Sequence, residues 1–83
     1  MADFIVYILR SESTDKLYVG HTNNLARRLA QHNDPDGKSY TAKRGPWVLV
    51  HQEEHSNRSS AMTRERFLKS VPGSREKKRL AGA

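Results

Sequence analysis

The sequence predicts an α+β domain ordered strand, strand, helix, strand, helix, helix around a small antiparallel sheet. Three observations carry this. Two short apolar runs of period two flank a polar stretch of about five residues. The period then changes to that of a helix near Leu25. Finally, the apolar residues, only 35% of the chain, fall in patterned stretches separated by turn formers instead of being scattered. A length of 83 residues implies one domain, 1–83, with a basic C-terminal segment from about residue 73.

The first strand is expected over Phe4–Arg10. Ile5, Tyr7 and Leu9 alternate with Phe4, Val6 and Ile8, so both faces are apolar, as a central strand requires. Polar residues from Ser11 to Asp15 make a turn. Lys16–His21 is the second strand of a hairpin, with Leu17 and Val19 opposite Tyr18 and Gly20. Thr22, Asn23 and Asn24 offer capping oxygens for a helix over Leu25–His32. Leu25 and Leu29 face the core there, and Arg28 and His32 lie one turn apart on an adjacent stripe. Asn33 to Gly37 ends that helix and opens a long loop to about Pro46. A third strand is expected from Trp47 to Val50 or a little beyond. Ser56 or Asn57 caps a second helix, roughly Arg58–Lys69. Pro72-Gly73 breaks the chain, and Ser74 caps a short basic helix through Leu80.

Composition narrows the chemistry. The absence of cysteine excludes disulfides, thiolate metal sites and a Cys nucleophile. The longest apolar run, Phe4 to Leu9, is too short to cross a bilayer. No secretory signal is visible at the start, so a cytoplasmic location without membrane partners is expected. The net charge is +6, and it is unevenly placed. Residues 1–57 hold seven basic and seven acidic side chains, whereas residues 58–83 hold eight basic and two acidic ones. The whole excess lies in the last third. That points to a polyanion partner, with a solubilising helix face as the plain alternative.

Three groups of residues stand out. Glu65 falls beside an apolar stripe of Ala61, Met62 and Leu68, where a charge is costly unless paired or bound to metal. An i,i+4 ion pair with Lys69 is the simplest explanation. Tyr7 and Tyr18, on adjacent strands, can lie close on one face, as packing or as function. Gly20, two residues on, leaves room for the close approach of another group, such as a substrate backbone. Arg28 and His32 suit a phosphate and its leaving group, or else a solvated helix face. His21 borders the same region, and His51 and His55 read as surface residues. No His, Asp or Glu cluster resembles a pre-built metal site.

Taken together, Ile5-Val6-Tyr7, Tyr18-Val19-Gly20, Arg28 and Glu65 resemble the GIY-YIG nuclease family, over nearly the whole chain. The stretches from Tyr18 to Leu29, Lys43 to Trp47 and Ala61 to Lys69 are similar to its small stand-alone bacterial members. The resemblance implies a three-stranded antiparallel sheet flanked by helices. It also implies metal-dependent hydrolysis of DNA phosphodiester bonds, in DNA repair or processing. One divalent cation, magnesium with manganese as a substitute, would be held by Glu65. Tyr18 would activate the attacking water, with Tyr7 in the same hydrogen-bond network. Arg28 would neutralise charge on the phosphoryl oxygens, and His21 and His32 would assist proton transfer. With the basic excess, DNA contacts are expected from Arg27, Lys43, Arg44, Arg64, Lys69, Arg75, Lys77 and Lys78. Ile5 replaces the glycine of the family's first motif. No asparagine follows Glu65, where many members carry one. So bare a nuclease domain implies weak, structure-dependent or non-specific cleavage, or a protein partner that supplies specificity. The alternatives are a nucleic-acid-binding module of the same fold with little activity, and an interaction domain whose basic tail docks an acidic protein.

Overall fold

β1 (Phe4–Ser11) is the central strand of a three-stranded antiparallel sheet, with β2 (Leu17–Thr22) on one side and β3 (Trp47–His55) on the other. The coordinates are a computed structural model and describe residues 3–34, 36, 37, 41 and 44–82. The helices are α1 (Leu25–His32), α2 (Arg58–Lys69) and α3 (Ser74–Leu80). The α+β order read from the sequence is the order found.

The alternation in β1 sorts the core into two layers. Val6 and Ile8 pack with Val19 of β2, Ala61 and Leu68 of α2 and Leu80 of α3. Tyr7 and Leu9, on the opposite face, pack with Trp47, Tyr18 and the α1 residues Leu25 and Leu29. Val6, Tyr7, Ile8 and Leu9 are each at most 1% exposed, so the middle of β1 is covered on both faces.

The hairpin turn is held by a buried Ser11. Its Oγ accepts the backbone N–H groups of Ser13 and Thr14 and donates to the Arg44 carbonyl at 2.6 Å, which ties the turn to the segment before β3. Asp15 takes the left-handed conformation that closes the turn, φ 62°, which an Asp tolerates. Asn24 caps α1 by accepting from the Arg27 N–H, and Asn57 caps α2 by accepting from the Ser60 N–H.

Three local expectations need correction. β3 runs five residues past Val50, because His51, Glu53 and His55 make polar contacts beneath α2 in place of the apolar alternation sought in the sequence. His51 and His55 are therefore not plain surface residues: their side chains are 22% and 16% exposed. A bulge between Ile8 and Leu9 in the β1–β3 register leaves Val50 without a partner on β1, and Leu49 and Val50 pack into different core layers. Ser74 does not cap α3. It is the first helical residue, its hydroxyl turns back to the Val71 carbonyl, and Gly73 takes the cap position.

Candidate active site

The hairpin register pairs Tyr7 with Gly20 and Leu9 with Tyr18. The two tyrosines are thus diagonal neighbours on one face, with ring centroids 6.4 Å apart. Gly20 is required by this packing. A Cβ there would lie 2.6 Å from the Tyr7 hydroxyl and 3.2 Å from Tyr18, so the space belongs to Tyr7 and not to a substrate backbone.

α1 lays its last turn over the same face. His32 is 5% exposed and accounts for the Tyr7 hydroxyl: Nε2 lies 2.8 Å from it, and Nδ1 lies 2.6 Å from Thr41 Oγ1. Burial, together with the charge of Arg28, pushes the His32 imidazole below its ordinary pKa, so it is neutral at pH 7. A neutral ring has one donor nitrogen. Arg28, the other polar group acting on the Tyr7 phenol, can only donate. The phenol therefore donates to His32 Nε2, and Nδ1–H donates to Thr41. Burial raises the Tyr7 pKa, and the Arg28 guanidinium opposes that without cancelling it. Thr41 is fixed in turn by the Trp47 indole, which donates to its carbonyl at 2.6 Å, and Trp47 packs edge-on against Tyr18 at 6.1 Å. The sequence did not mark Thr41 as part of the site. It sits in an unpatterned loop, 9 residues from its partner His32. Arg28 itself is exposed, so the stripe on which it was grouped with His32 divides into a buried and a solvated half.

Glu65 approaches from the other side of the β2 edge. Its Oε1 accepts from His21 Nδ1 at 2.7 Å and its Oε2 from Lys69 Nζ at 2.9 Å. The i,i+4 pair expected of an ordinary helix surface is therefore present, and a second contact from β2 accompanies it. Burial works to raise the Glu65 pKa, but the Lys69 and His21 hydrogen bonds outweigh it and the net shift is downward. Lys69 Nζ also stands 5.7 Å from the centre of the Tyr18 ring, and the Glu65 charge reaches Tyr7. The two halves thus form one centre around the β2 edge.

Among the described residues no group of three or more His, Asp or Glu could enclose a metal. Glu65 offers one hard, partly exposed carboxylate. That suits a magnesium ion, which keeps most of its water and takes phosphate oxygens as further ligands, and does not suit a metal needing an all-protein cage.

The other basic residues separate by partner. Arg64 forks onto Glu53 at 2.8 and 2.9 Å and lies 3.5 Å from Glu76. Lys77 and Lys78 line a cleft of about 510 Å³ with Arg10 and Lys16. Arg75 lies exposed on α3, and Arg44 is exposed ahead of β3. Lys43 lies outside the described residues. Arg27 and Arg28 share a second cleft with Arg58, which the sequence pattern does not single out because its signal, a lone cation at a helix start, is weak.

Comparison with known proteins defines the class. Residues 3–79 match the family model of the GIY-YIG catalytic domain, and the chain belongs to that family. Within it, the relatives carry the name UPF0213. The chain is 40% identical over 80 residues to a UPF0213 protein of Natronomonas pharaonis, covering 96% of this chain and 93% of that one. It is 45% identical over 69 residues to a UPF0213 protein of Staphylococcus haemolyticus, covering 83% of each. The solution structure of a UPF0213 protein from Bacillus halodurans shares 32% identity at a TM-score of 0.55, covering 95% of this chain and 82% of that one.

Proposed function

We propose that the protein is a divalent-metal-dependent endonuclease that hydrolyses DNA phosphodiester bonds. The observation that carries this is the meeting of Tyr7, Tyr18, His32 and Arg28 on one hairpin face with Glu65 at its edge, in a chain of the GIY-YIG family. Magnesium bound at Glu65 would supply Lewis-acid stabilisation of the phosphoryl oxygens.

The remaining roles follow from the side chains. Tyr7 is buried, raised in pKa and committed as a donor to His32, so it is a poor base and a good anchor. Tyr18 is half-buried, and its hydroxyl has no hydrogen-bond partner among the described residues, which leaves it for water. Its oxygen is placed to take a proton from an attacking water, and the Lys69 ammonium stands 5.7 Å from the centre of its ring. Arg28, exposed beside Tyr7, donates to the phosphoryl oxygens as charge develops there. His21 orients the Glu65 carboxylate. DNA is gripped through Arg27, Arg44 and the cleft of Arg10, Lys16, Lys77 and Lys78, where phosphate contacts give affinity with little sequence preference.

The test is cleavage of branched, single-stranded and plasmid DNA with magnesium, manganese or neither, by the parent and by Tyr18→Phe. The parent cuts only with metal, and Tyr18→Phe binds DNA equally well but cuts at least about 100-fold more slowly, the lower range for loss of one general base. A parent that binds DNA and never cuts it would establish the binding-module alternative instead.

A further inference from the structure

We propose that the cleft walled by Arg27, Arg28 and Arg58 is a subsite for a second, non-scissile phosphate of the nucleic-acid backbone, beside the phosphate that reacts. This rests on the nuclease reading and specifies what its site must be offered.

The cleft encloses about 450 Å³ where the end of β2 meets the first turns of α1 and α2, and His21 and Asn23 also line it. Three guanidinium groups around one opening repel one another. Three other cations are compensated: Arg64 lies on Glu53 and Glu76, Lys69 on Glu65 and Arg79 on Glu76. Among the described residues no carboxylate lies within ion-pair distance of Arg27, Arg28 or Arg58. Arg28 has a long contact to Gln31 Oε1, 3.4 Å, and acts on the Tyr7 phenol, both neutral groups at pH 7 that leave its charge unanswered. Concentrated, uncompensated positive charge over a polar-walled cavity draws anions, and the planar guanidinium fork matches phosphate oxygens.

Position separates this site from the reaction centre while keeping them adjacent. Arg28 also acts on Tyr7, and His21 also holds Glu65. Arg58 and Glu65 lie seven residues apart on α2, on the same face and about 10 Å apart along its axis. One phosphate does not fill that span, and two neighbouring phosphates of one strand do. Arg58 is thus a binding residue for the phosphate flanking the cut, and the smallest good substrate carries two phosphates.

The experiment titrates isotopically labelled protein at low salt in EDTA, so that nothing is cut, with TpT (one phosphate) and TpTpT (two). TpTpT should bind about tenfold or more tightly than TpT, the scale of one charge-assisted contact. At equal concentration the Arg58 Nε–H resonance should move further with TpTpT than with TpT. In Arg58→Gln the step should shrink to the statistical advantage of two phosphates. Arg66→Gln, which removes an exposed cation of α2 outside the cleft, should keep the full step. Arg58 is exposed and bonds no other described side chain, so a melting curve overlying the parent's confirms that the variant folds. An equal step in Arg58→Gln, or no step in the parent, overturns the subsite while leaving the nuclease reading intact. No binding of either oligonucleotide, with no cleavage of longer DNA, overturns both. Inorganic phosphate moving the Arg58 resonance as strongly as TpTpT at equal concentration overturns the assignment to a backbone phosphate.

Discussion

The two edges of the sheet each carry a glutamate with basic partners, and they are built for different purposes. Glu53 on β3 and Glu65 beside β2 have side chains equally exposed, 20%. Glu53 accepts both arms of the Arg64 fork, with His51 and His55 alongside. Its pKa falls to about 2, chiefly through the Arg64 hydrogen bonds, with burial opposing. Glu65 accepts one bond on each oxygen, from a histidine and from a lysine whose side chain is 49% exposed. Its pKa moves in the same direction against a larger opposing burial effect. At equal exposure, the geometry of the donors decides. A forked guanidinium makes a clamp, whereas single, exchangeable donors leave a carboxylate that can trade them for another cation.

The largest expected effect breaks this comparison if it fails. Glu65→Gln keeps size and one of the two acceptor oxygens but removes the anion. Metal-dependent cleavage should fall by at least about a thousandfold, several kcal/mol of transition-state stabilisation, while the melting temperature barely moves. Glu53→Gln should do the opposite, lowering stability and leaving the folded fraction active. Parallel cleavage and melting measurements decide, and a Glu53 variant that folds normally but cannot cut would reverse the two roles.

Next in size is Arg28. Its replacement by Ala should cost about 2.7–4 kcal/mol in turnover, like the loss of one preorganised donor, with a much smaller loss of DNA affinity. Arg27→Ala, one residue away, should show the reverse balance, because Arg27 touches only the proposed flanking-phosphate cleft. Separate kcat and KM values for the two variants are the measurement. Equal losses of kcat would place both residues in the same role.

Third is the acid limb of stability. Glu53 has a folded-state pKa of about 2 against 4.5 for an unperturbed glutamate side chain. A depressed carboxylate stabilises the fold fully above its unfolded pKa, and that contribution is lost as pH falls through the folded one. The clamp should therefore contribute about 3 kcal/mol at pH 7 and lose it between about pH 4.5 and 2. His32 adds an earlier step. Its pKa is lowered in the fold, so the unfolded chain takes up a proton first and stability begins to decline as pH drops below about 6.5. Urea unfolding from pH 7 to 2, for the parent and Glu53→Gln, should show the lower step reduced in the variant to what the other depressed carboxylates, Glu65 and Glu76, contribute.

The same contrast explains what could be read from the sequence. The elements bearing Tyr7, Tyr18, Arg28 and Glu65 announce themselves, because the strands carry an apolar alternation and the helices α1 and α2 have Asn24 and Asn57 as caps. Glu65 was visible as a charge beside an apolar stripe. The Glu53 clamp was hidden, because residues 51–55 carry no apolar pattern and the partner Arg64 lies 11 residues away on another element. Thr41 was hidden for the same reason, being a loop residue whose importance depends on where His32 lands. Patterned burial is legible in one dimension, and long-range polar pairing is not.

The smallest expected effect sharpens the comparison most. Lys69→Gln removes the cation that Glu65 holds at 2.9 Å, as Arg64→Gln removes the one that Glu53 holds at 2.8 Å. The distances are alike, but the Lys69 side chain is 49% exposed and Arg64 is 28% exposed. A single ammonium reaching one oxygen across a helix turn is worth about 0.3–0.5 kcal/mol and is screened by salt. Its position over the Tyr18 ring adds about 0.5 kcal/mol at such exposure. The loss from Lys69→Gln should therefore stay at or below about 1 kcal/mol at low salt and shrink further in 0.5 M salt, where the Debye length is under about 5 Å. Arg64→Gln leaves Glu53 partly buried without its fork, and its loss should approach the roughly 3 kcal/mol of the clamp and persist in salt. Urea unfolding of both variants at two salt concentrations measures this directly. A Lys69→Gln loss above about 2 kcal/mol that salt does not reduce would make Glu65 a clamp like Glu53, since isolated exposed pairs do not reach that size. Its carboxylate would then be too firmly held to exchange partners, and the assignment of Glu65 to the metal would have to be given up.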